Sequence, residues 1–114
     1  MGYDLHITRA KWHWDSEKQP ITVAEWLGIV EGDPELRLAG YNGPYFAIWN
    51  GSSECPEPWL DWLRGEIYSK SPDDALIDKM VQIARGLGAK VQGDDGEVYI
   101  GGGRSAYLPP PDST

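Results

Sequence analysis

The apolar and polar positions of the first segment alternate. In residues 3–9, Tyr3, Leu5 and Ile7 recur at every second position, which is the period of a β-strand with one buried face. The residues that this pattern places on the other face are Asp4, His6 and Thr8. The segment that follows, residues 11–20, is polar apart from two tryptophans and predicts a loop.

Two longer stretches carry apolar residues at helical spacing. In the first, Thr22 and Glu25 have the separation of a capping box, so a helix is expected to begin directly after Thr22. In the second, Ser71 is the expected N-cap and Pro72 suits the first helical position. An apolar stripe then continues almost to Gly88, which predicts a helix lying flat on a sheet or on another helix.

Hairpins account for most of the remaining pattern. Residues 36–49 predict a hairpin with an Asn-Gly turn, and residues 89–100 predict a second one with an acidic tip. Residues 66–68 predict a short strand. The pattern of residues 59–63, which include two tryptophans, does not decide between a strand and another short element.

This order of elements predicts an α+β fold. The expected architecture is an antiparallel or mixed sheet built largely of hairpins, with two main helices packed on one face. A chain of 114 residues is long enough for one domain with one core, which we place at residues 1–108. The proline-rich end, residues 109–114, is expected to be a flexible tail.

The charge balance narrows the choice of partner. The formal net charge is −8, which argues against nucleic acid and against an anionic membrane surface and favours a basic protein. Residues 25–66 hold eight acidic and two basic residues, a net charge of −6, together with four of the six tryptophans. The single cysteine excludes an internal disulfide, and the N-terminus lacks the pattern of a signal peptide, so we expect a cytoplasmic protein.

No set of residues in the sequence predicts catalysis or cofactor binding. His6, His13 and Cys55 are far apart along the chain and lack the paired spacing of a zinc site, so no metal and no cofactor are expected. The acidic stretch from Asp94 to Glu97 is explained by turn chemistry rather than by a calcium loop. Because no nucleophile and base share a recognisable motif, we do not expect an enzyme.

The tryptophans are the most unusual part of the composition. Exposed tryptophans beside acidic residues are typical of protein-binding hot spots. The alternative is that they cover the open face of the sheet, since a small core uses large aromatic side chains to close gaps. On the first interpretation the candidate partner-binding residues are Trp12, Trp14, Glu54, Glu57, Trp59, Asp61 and Trp62.

Residues 3–10 (YDLHITRA), residues 20–27 (PITVAEWL) and residues 88–99 (GAKVQGDDGEVY) resemble a group of small acidic bacterial proteins. That group is similar in type to the immunity proteins that accompany polymorphic toxins. The resemblance implies a protein that binds and occludes a secreted toxin domain, and it brings no site residues with it. The sequence leaves open whether the chain is a monomer or a homodimer. A small-ligand-binding or regulatory module with an aromatic pocket is the alternative.

Overall fold

The computed structural model describes residues 3–54, 56–101 and 107–109, and these form one eight-stranded sheet with helices. The strands are β1 (Asp4–Thr8), β2 (Leu36–Leu38), β3 (Ala47–Trp49), β4 (Trp59–Leu63), β5 (Glu66–Lys70), β6 (Lys90–Gly93), β7 (Val98–Tyr99) and β8 (Tyr107–Leu108). Their order is β2-β3-β4-β5-β1-β6-β7-β8, and every neighbouring pair is antiparallel. The predicted α+β fold is confirmed.

The helices are α1 (Val23–Gly32) and α2 (Asp74–Gly86). Both pack on the same face of the sheet, where Trp26 and Met80 join one apolar cluster with Leu5 and Ile67. We call this side the helix face. Two short 3₁₀ helices, His13–Lys18 and Gly40–Asn42, complete the described elements. None of the helices in the described residues is long and apolar enough to cross a membrane.

Strand β1 lies in the middle of the sheet and is buried on both sides. Leu5 and Ile7 point into the helix face, as their alternation predicts. His6 and Thr8 are also buried, whereas the sequence predicts a strand with only one buried face. Their side is covered by the 3₁₀ helix His13–Lys18, which lies where the sequence predicts a loop.

Of the two predicted N-caps, one is confirmed and one is wrong. Thr22 and Glu25 form the predicted capping box. At α2 the N-cap is Asp73 rather than Ser71, and the Asp73 carboxylate accepts a hydrogen bond from Leu76 N at 3.0 Å. Ser71 has a φ of 46° and its hydroxyl accepts from Tyr3 N at 3.2 Å, so it belongs to the turn that joins β5 to the helix.

The undecided segment at residues 59–63 is strand β4. It forms a hairpin with β5 through Arg64 and Gly65, whose φ values of 51° and 88° suit a tight two-residue turn with the right twist. A Cβ at Gly65 would come within 2.9 Å of Pro20, so the site also requires the absence of a side chain. The predicted hairpin at residues 36–49 is present, but its connection is a longer loop containing a 3₁₀ turn.

Two expectations concern residues outside the described ranges. Cys55 is one of them. The other is the end of the chain, where only Pro109 of the expected tail is described and residues 110–114 are not.

Candidate protein-binding face

The sheet surface opposite α1 and α2 carries a row of aromatic side chains. Phe46 stacks on Trp59 with ring centroids 5.2 Å apart, and Trp59 meets Tyr68 edge-on at 5.5 Å. Asp61 pairs with Tyr68 across β4 and β5, and Trp59 lies two residues before Asp61, so the register places all three on this side. We call this surface, which α1 and α2 do not cover, the helix-free face. It also includes His6, Thr8 and Gln92.

The carboxylate of Asp61 lies beside the aromatic row. Among the described residues no Lys or Arg pairs with Asp61, which accepts a hydrogen bond from Trp62 N at 2.8 Å. Burial raises the pKa of Asp61, and that hydrogen bond only partly opposes the rise. Burial also raises the pKa of Tyr68, with further contributions from the negative charges of Asp61, Asp4 and Glu66. The local potential is therefore negative.

His6 lies between two carboxylates at the centre of this face. Its Nδ1 contacts Glu66 Oε1, and its Nε2 lies 3.1 Å from Asp94 Oδ1. Burial alone would lower the pKa of His6, but the hydrogen bonds and charges of Glu66 and Asp94 outweigh it and raise that pKa. Since carboxylates only accept, an imidazolium that donates from both nitrogens satisfies both contacts.

His13 lies flat on His6, with ring centroids 3.7 Å apart and an interplanar angle of 5°. Burial and the neighbouring His6 charge lower the pKa of His13, and this reduction exceeds the opposing effect of Glu66 and Asp94. The two stacked rings therefore have pKa values shifted in opposite directions. His13 Nε2 is buried and has no hydrogen-bond partner among the residues that the structure describes.

The 3₁₀ helix that carries His13 is fixed to the sheet by polar contacts. Gln92 is fully buried, accepts a hydrogen bond from His13 N at 2.6 Å and donates to Lys11 O at 3.0 Å and Gly96 O at 3.2 Å. Thr8 Oγ1 and Ser16 Oγ share a hydrogen bond of 2.7 Å. This side of the sheet is thus a hydrogen-bonded layer, in contrast to the apolar helix face.

Trp12 and Trp14 extend the aromatic surface over this layer. Their rings stack at 5.0 Å, and Trp14 meets the His13 ring edge-on at 4.9 Å. Trp14 is 60% exposed, whereas Trp12 is half-buried. Together with Trp59 and Asp61, these two tryptophans are the candidate partner-binding residues that lie on the helix-free side of the molecule.

The remaining candidates lie elsewhere. Trp62 points to the helix face, donates from Nε1 to Ile21 O at 2.7 Å and packs edge-on against Tyr45 at 5.4 Å. Glu54 and Glu57 are exposed in the loop before β4, and Glu54 N donates to the Asp73 carboxylate at 2.7 Å. That loop is therefore tied to the start of α2.

Half of the acidic residues between 25 and 66 have cationic partners within the molecule. Glu25 pairs with Arg9, which lowers the pKa of Glu25 to about 2. Asp33 and Glu35 both bind the buried ammonium of Lys79, at 2.6 and 2.8 Å. Glu66 contacts His6, so fewer carboxylates of residues 25–66 are free than the charge count implies. Asp4 and Asp94, which lie outside residues 25–66, also reach the helix-free face.

Sequence reasoning missed Tyr68, Phe46, Asp94 and the histidine pair. The signal for Tyr68 was available, because a tight Arg-Gly turn fixes the register of the β4–β5 hairpin and places Asp61 opposite Tyr68. The approach of His13 to His6 depends on the path of a polar segment across the sheet. Local periodicity does not encode that path.

A cleft of about 660 Å³ separates the two helices, with Gly28, Gly32, Lys79 and Gly86 among its lining residues. Its lining residues include no aromatic side chain, so it differs from the aromatic pocket that a small-ligand module would need. The stacked group of Phe46, Trp59 and Tyr68, whose rings are each half-buried, lies on the helix-free side instead.

Comparisons of this chain with protein-family models, with curated proteins and with solved structures found no match.

Proposed function

We propose that this chain binds a basic protein through its helix-free face and neutralises it, as an immunity protein does for the toxin domain of a polymorphic toxin. The observation that carries the proposal is the grouping of Trp59, Tyr68 and Asp61 on one side of the sheet, where the Asp61 carboxylate has no Lys or Arg partner among the described residues. Half-buried aromatic rings beside a free acid are the composition of a hot spot for a cationic partner.

The geometry suits a Lys or Arg side chain of the partner. Trp59 and Tyr68 meet at an interplanar angle of 88°, so they present a ring face and a ring edge at right angles. Phe46 stacks on one face of Trp59, so a cation would gain a cation–π contact at the opposite face, and Asp61 on the same side of β4 would attract it. Because Asp61 is partly desolvated, a charge-assisted hydrogen bond to it is stronger than one at a fully exposed acid.

The surrounding charge favours rapid encounter. The net charge of −8 attracts a basic domain at long range, and Asp4 and Glu66 add negative charge close to Tyr68 in the aromatic row. Such steering raises the association rate and weakens as salt increases. The aromatic contacts would then lower the dissociation rate.

The mechanism is occlusion of the partner's active cleft, with no catalytic step on this chain. The sheet supports the contact residues on rigid strands, so little ordering entropy is lost on binding. In this proposal the protein acts in the cytoplasm of the cell that it protects, and the resemblance of residues 3–10 and 88–99 to small acidic bacterial proteins gives additional support.

The test first asks whether a gene beside the one for this chain encodes a large secreted protein, and then uses the C-terminal domain of that protein. Both proteins are co-expressed, and we expect them to co-purify and the cells to survive toxin induction. Trp59→Ala should weaken the complex by about 2 kcal/mol or more. The absence of both complex formation and protection would overturn the proposal.

Trp14→Ala is a second variant that leaves the sheet intact, since Trp14 is 60% exposed. If the face extends over the 3₁₀ helix, this change should weaken binding less than Trp59→Ala, because the centre of an interface contributes more than its rim. Far-UV circular dichroism of each variant separates a lost contact from a lost fold.

A further inference from the structure

We infer that His6, His13 and Asp94 form a binding site for a first-row divalent transition metal, with Zn²⁺ the ion best suited to it. One ligand atom from each residue lies within 4.8 Å of the others. The three residues come from β1, from the 3₁₀ helix and from the β6–β7 turn, so the fold brings together groups that are far apart in sequence. This inference differs from the sequence prediction of no metal and is independent of the proposed function.

The donor set matches this class of ion. Two imidazole nitrogens and one carboxylate oxygen are ligands for zinc and its neighbours, whereas calcium and magnesium prefer oxygen alone. Three protein ligands leave a fourth position for water. His6 is buried and the Asp94 side chain is 43% exposed, so the cluster opens to solvent on the Asp94 side.

Supporting contacts already hold the three residues near one another. Glu66 Oε1 contacts His6 Nδ1, which leaves Nε2 as the coordinating nitrogen of His6, and metal-bound histidines commonly have such a carboxylate partner. The second oxygen of Asp94 accepts a hydrogen bond from Asp4 N at 3.1 Å. The His13 backbone is fixed by Gln92 at 2.6 Å. His6 and Asp94 are thus held by the side-chain atom that does not coordinate, and His13 is held by its backbone.

His13 Nε2 provides the independent sign of a missing ligand. It is buried without a hydrogen-bond partner, although buried polar atoms are nearly always paired. Coordination of an ion would satisfy this nitrogen. It would also place two positive charges beside Glu66 and Asp94, in place of the single proton that His6 Nε2 shares with Asp94.

Metal binding requires the two rings to leave their stack. The imidazole lone pair lies in the ring plane, and two parallel rings 3.7 Å apart cannot both direct a lone pair at one ion. Rotation of the His13 ring about its Cβ–Cγ bond, with a smaller tilt of His6, removes the conflict. The contact of Trp14 with the His13 ring makes this rotation visible in tryptophan fluorescence.

The test is calorimetric titration of Zn²⁺ into the full chain, freed of any purification tag and treated with a chelator. We expect about one ion per chain and a rise in melting temperature by mass action. His13→Gln and Asp94→Asn each remove a direct ligand and should weaken Zn²⁺ binding by more than the roughly 10-fold to 100-fold that loss of an outer-shell partner costs. Asp95→Asn is the matched control, because Asp95 is an exposed acid in the same turn and should leave the affinity unchanged.

Co²⁺ provides a second readout, since its visible absorption reports nitrogen and oxygen ligands directly. Circular dichroism without metal establishes that each variant is folded, and Asp94→Asn keeps the test informative if His13→Gln does not fold. The inference is overturned if Zn²⁺ does not saturate a site, if Ca²⁺ binds equally well, or if Asp95→Asn weakens binding as much as Asp94→Asn.

Discussion

The two faces of the sheet are built from alternate residues of the same strands but are held together by different forces. On the helix face, Leu5 and Ile67 are buried with Met80 in one apolar cluster. On the helix-free face, the neighbours of these residues, His6 and Tyr68, lie among carboxylates and a fully buried glutamine. Apolar burial stabilises the first side, and satisfied hydrogen bonds stabilise the second.

This contrast separates stability from recognition. The helix face is closed by α1 and α2, so its side chains are already in contact with one another. The helix-free face is closed only partly, by the 3₁₀ helix, and Trp59, Asp61 and Trp14 keep surface available. Substitutions on the two faces should therefore differ in whether they change the free energy of unfolding or the affinity for a partner.

The largest effect on stability is expected at the helix face. Ile67→Ala removes a side chain that is 0% exposed and should lower the free energy of unfolding by about 2 to 5 kcal/mol. Urea unfolding followed by circular dichroism measures the change. Leu63→Ala, at a residue that is 51% exposed on the same hairpin, should cost less than about 0.5 kcal/mol. Similar losses for the two variants would remove the distinction between the faces.

The next effect concerns the hydrogen-bonded layer. Gln92→Leu keeps the volume of the side chain but leaves His13 N, Lys11 O and Gly96 O without their partner. We expect a loss of about 2 kcal/mol, because each buried group left unpaired is costly. Limited proteolysis should show faster cleavage within residues 11–18. An unchanged digestion pattern would mean that Gln92 does not fix the 3₁₀ helix.

A smaller effect is expected at the start of α2. Asp73→Ala removes the N-cap and should cost about 1 kcal/mol at neutral pH. Burial alone would raise the pKa of Asp73, but hydrogen bonds from Glu54 N, Leu76 N and Ser53 Oγ outweigh it and lower the pKa. Its contribution is therefore complete above the ordinary pKa of an aspartate and is lost as pH falls through the lower folded value.

Urea unfolding at neutral pH and at about pH 3 tests this pH dependence. The difference in the free energy of unfolding between wild type and Asp73→Ala should shrink on acidification. Ser71→Ala is the control, because the Ser71 hydroxyl bonds Tyr3 N rather than the helix. A larger loss for Ser71→Ala than for Asp73→Ala would contradict the observed cap.

The sequence predicts the helix face far better than the helix-free face. Local periodicity placed α1 and α2, and the capping box of Thr22 is formed as expected. Alternation assigned Leu5 and Ile7 to the core. Two tryptophans, Trp26 on α1 and Trp49 on β3, are buried there as well. These features depend on residues that are close in sequence, for which local patterns are informative.

The helix-free face depends on contacts between distant segments. His6 meets His13 and Asp94 only because the 3₁₀ helix and the β6–β7 turn converge on β1. The charge count also does not show that Glu25, Asp33 and Glu35 are paired with Arg9 or Lys79 within the molecule. Which acids remain free is a property of the fold and cannot be read from composition.

The most direct test compares Asp61→Asn with Glu31→Gln in binding to the proposed toxin-domain partner by calorimetry. Both changes remove one negative charge, but Asp61 lies beside Trp59 on the helix-free face and Glu31 is exposed on α1. We expect Asp61→Asn to weaken binding about tenfold or more. Glu31→Gln should change it less than about threefold, through the reduced net charge alone. Equal effects of the two substitutions would show that net charge, and not the helix-free face, directs recognition.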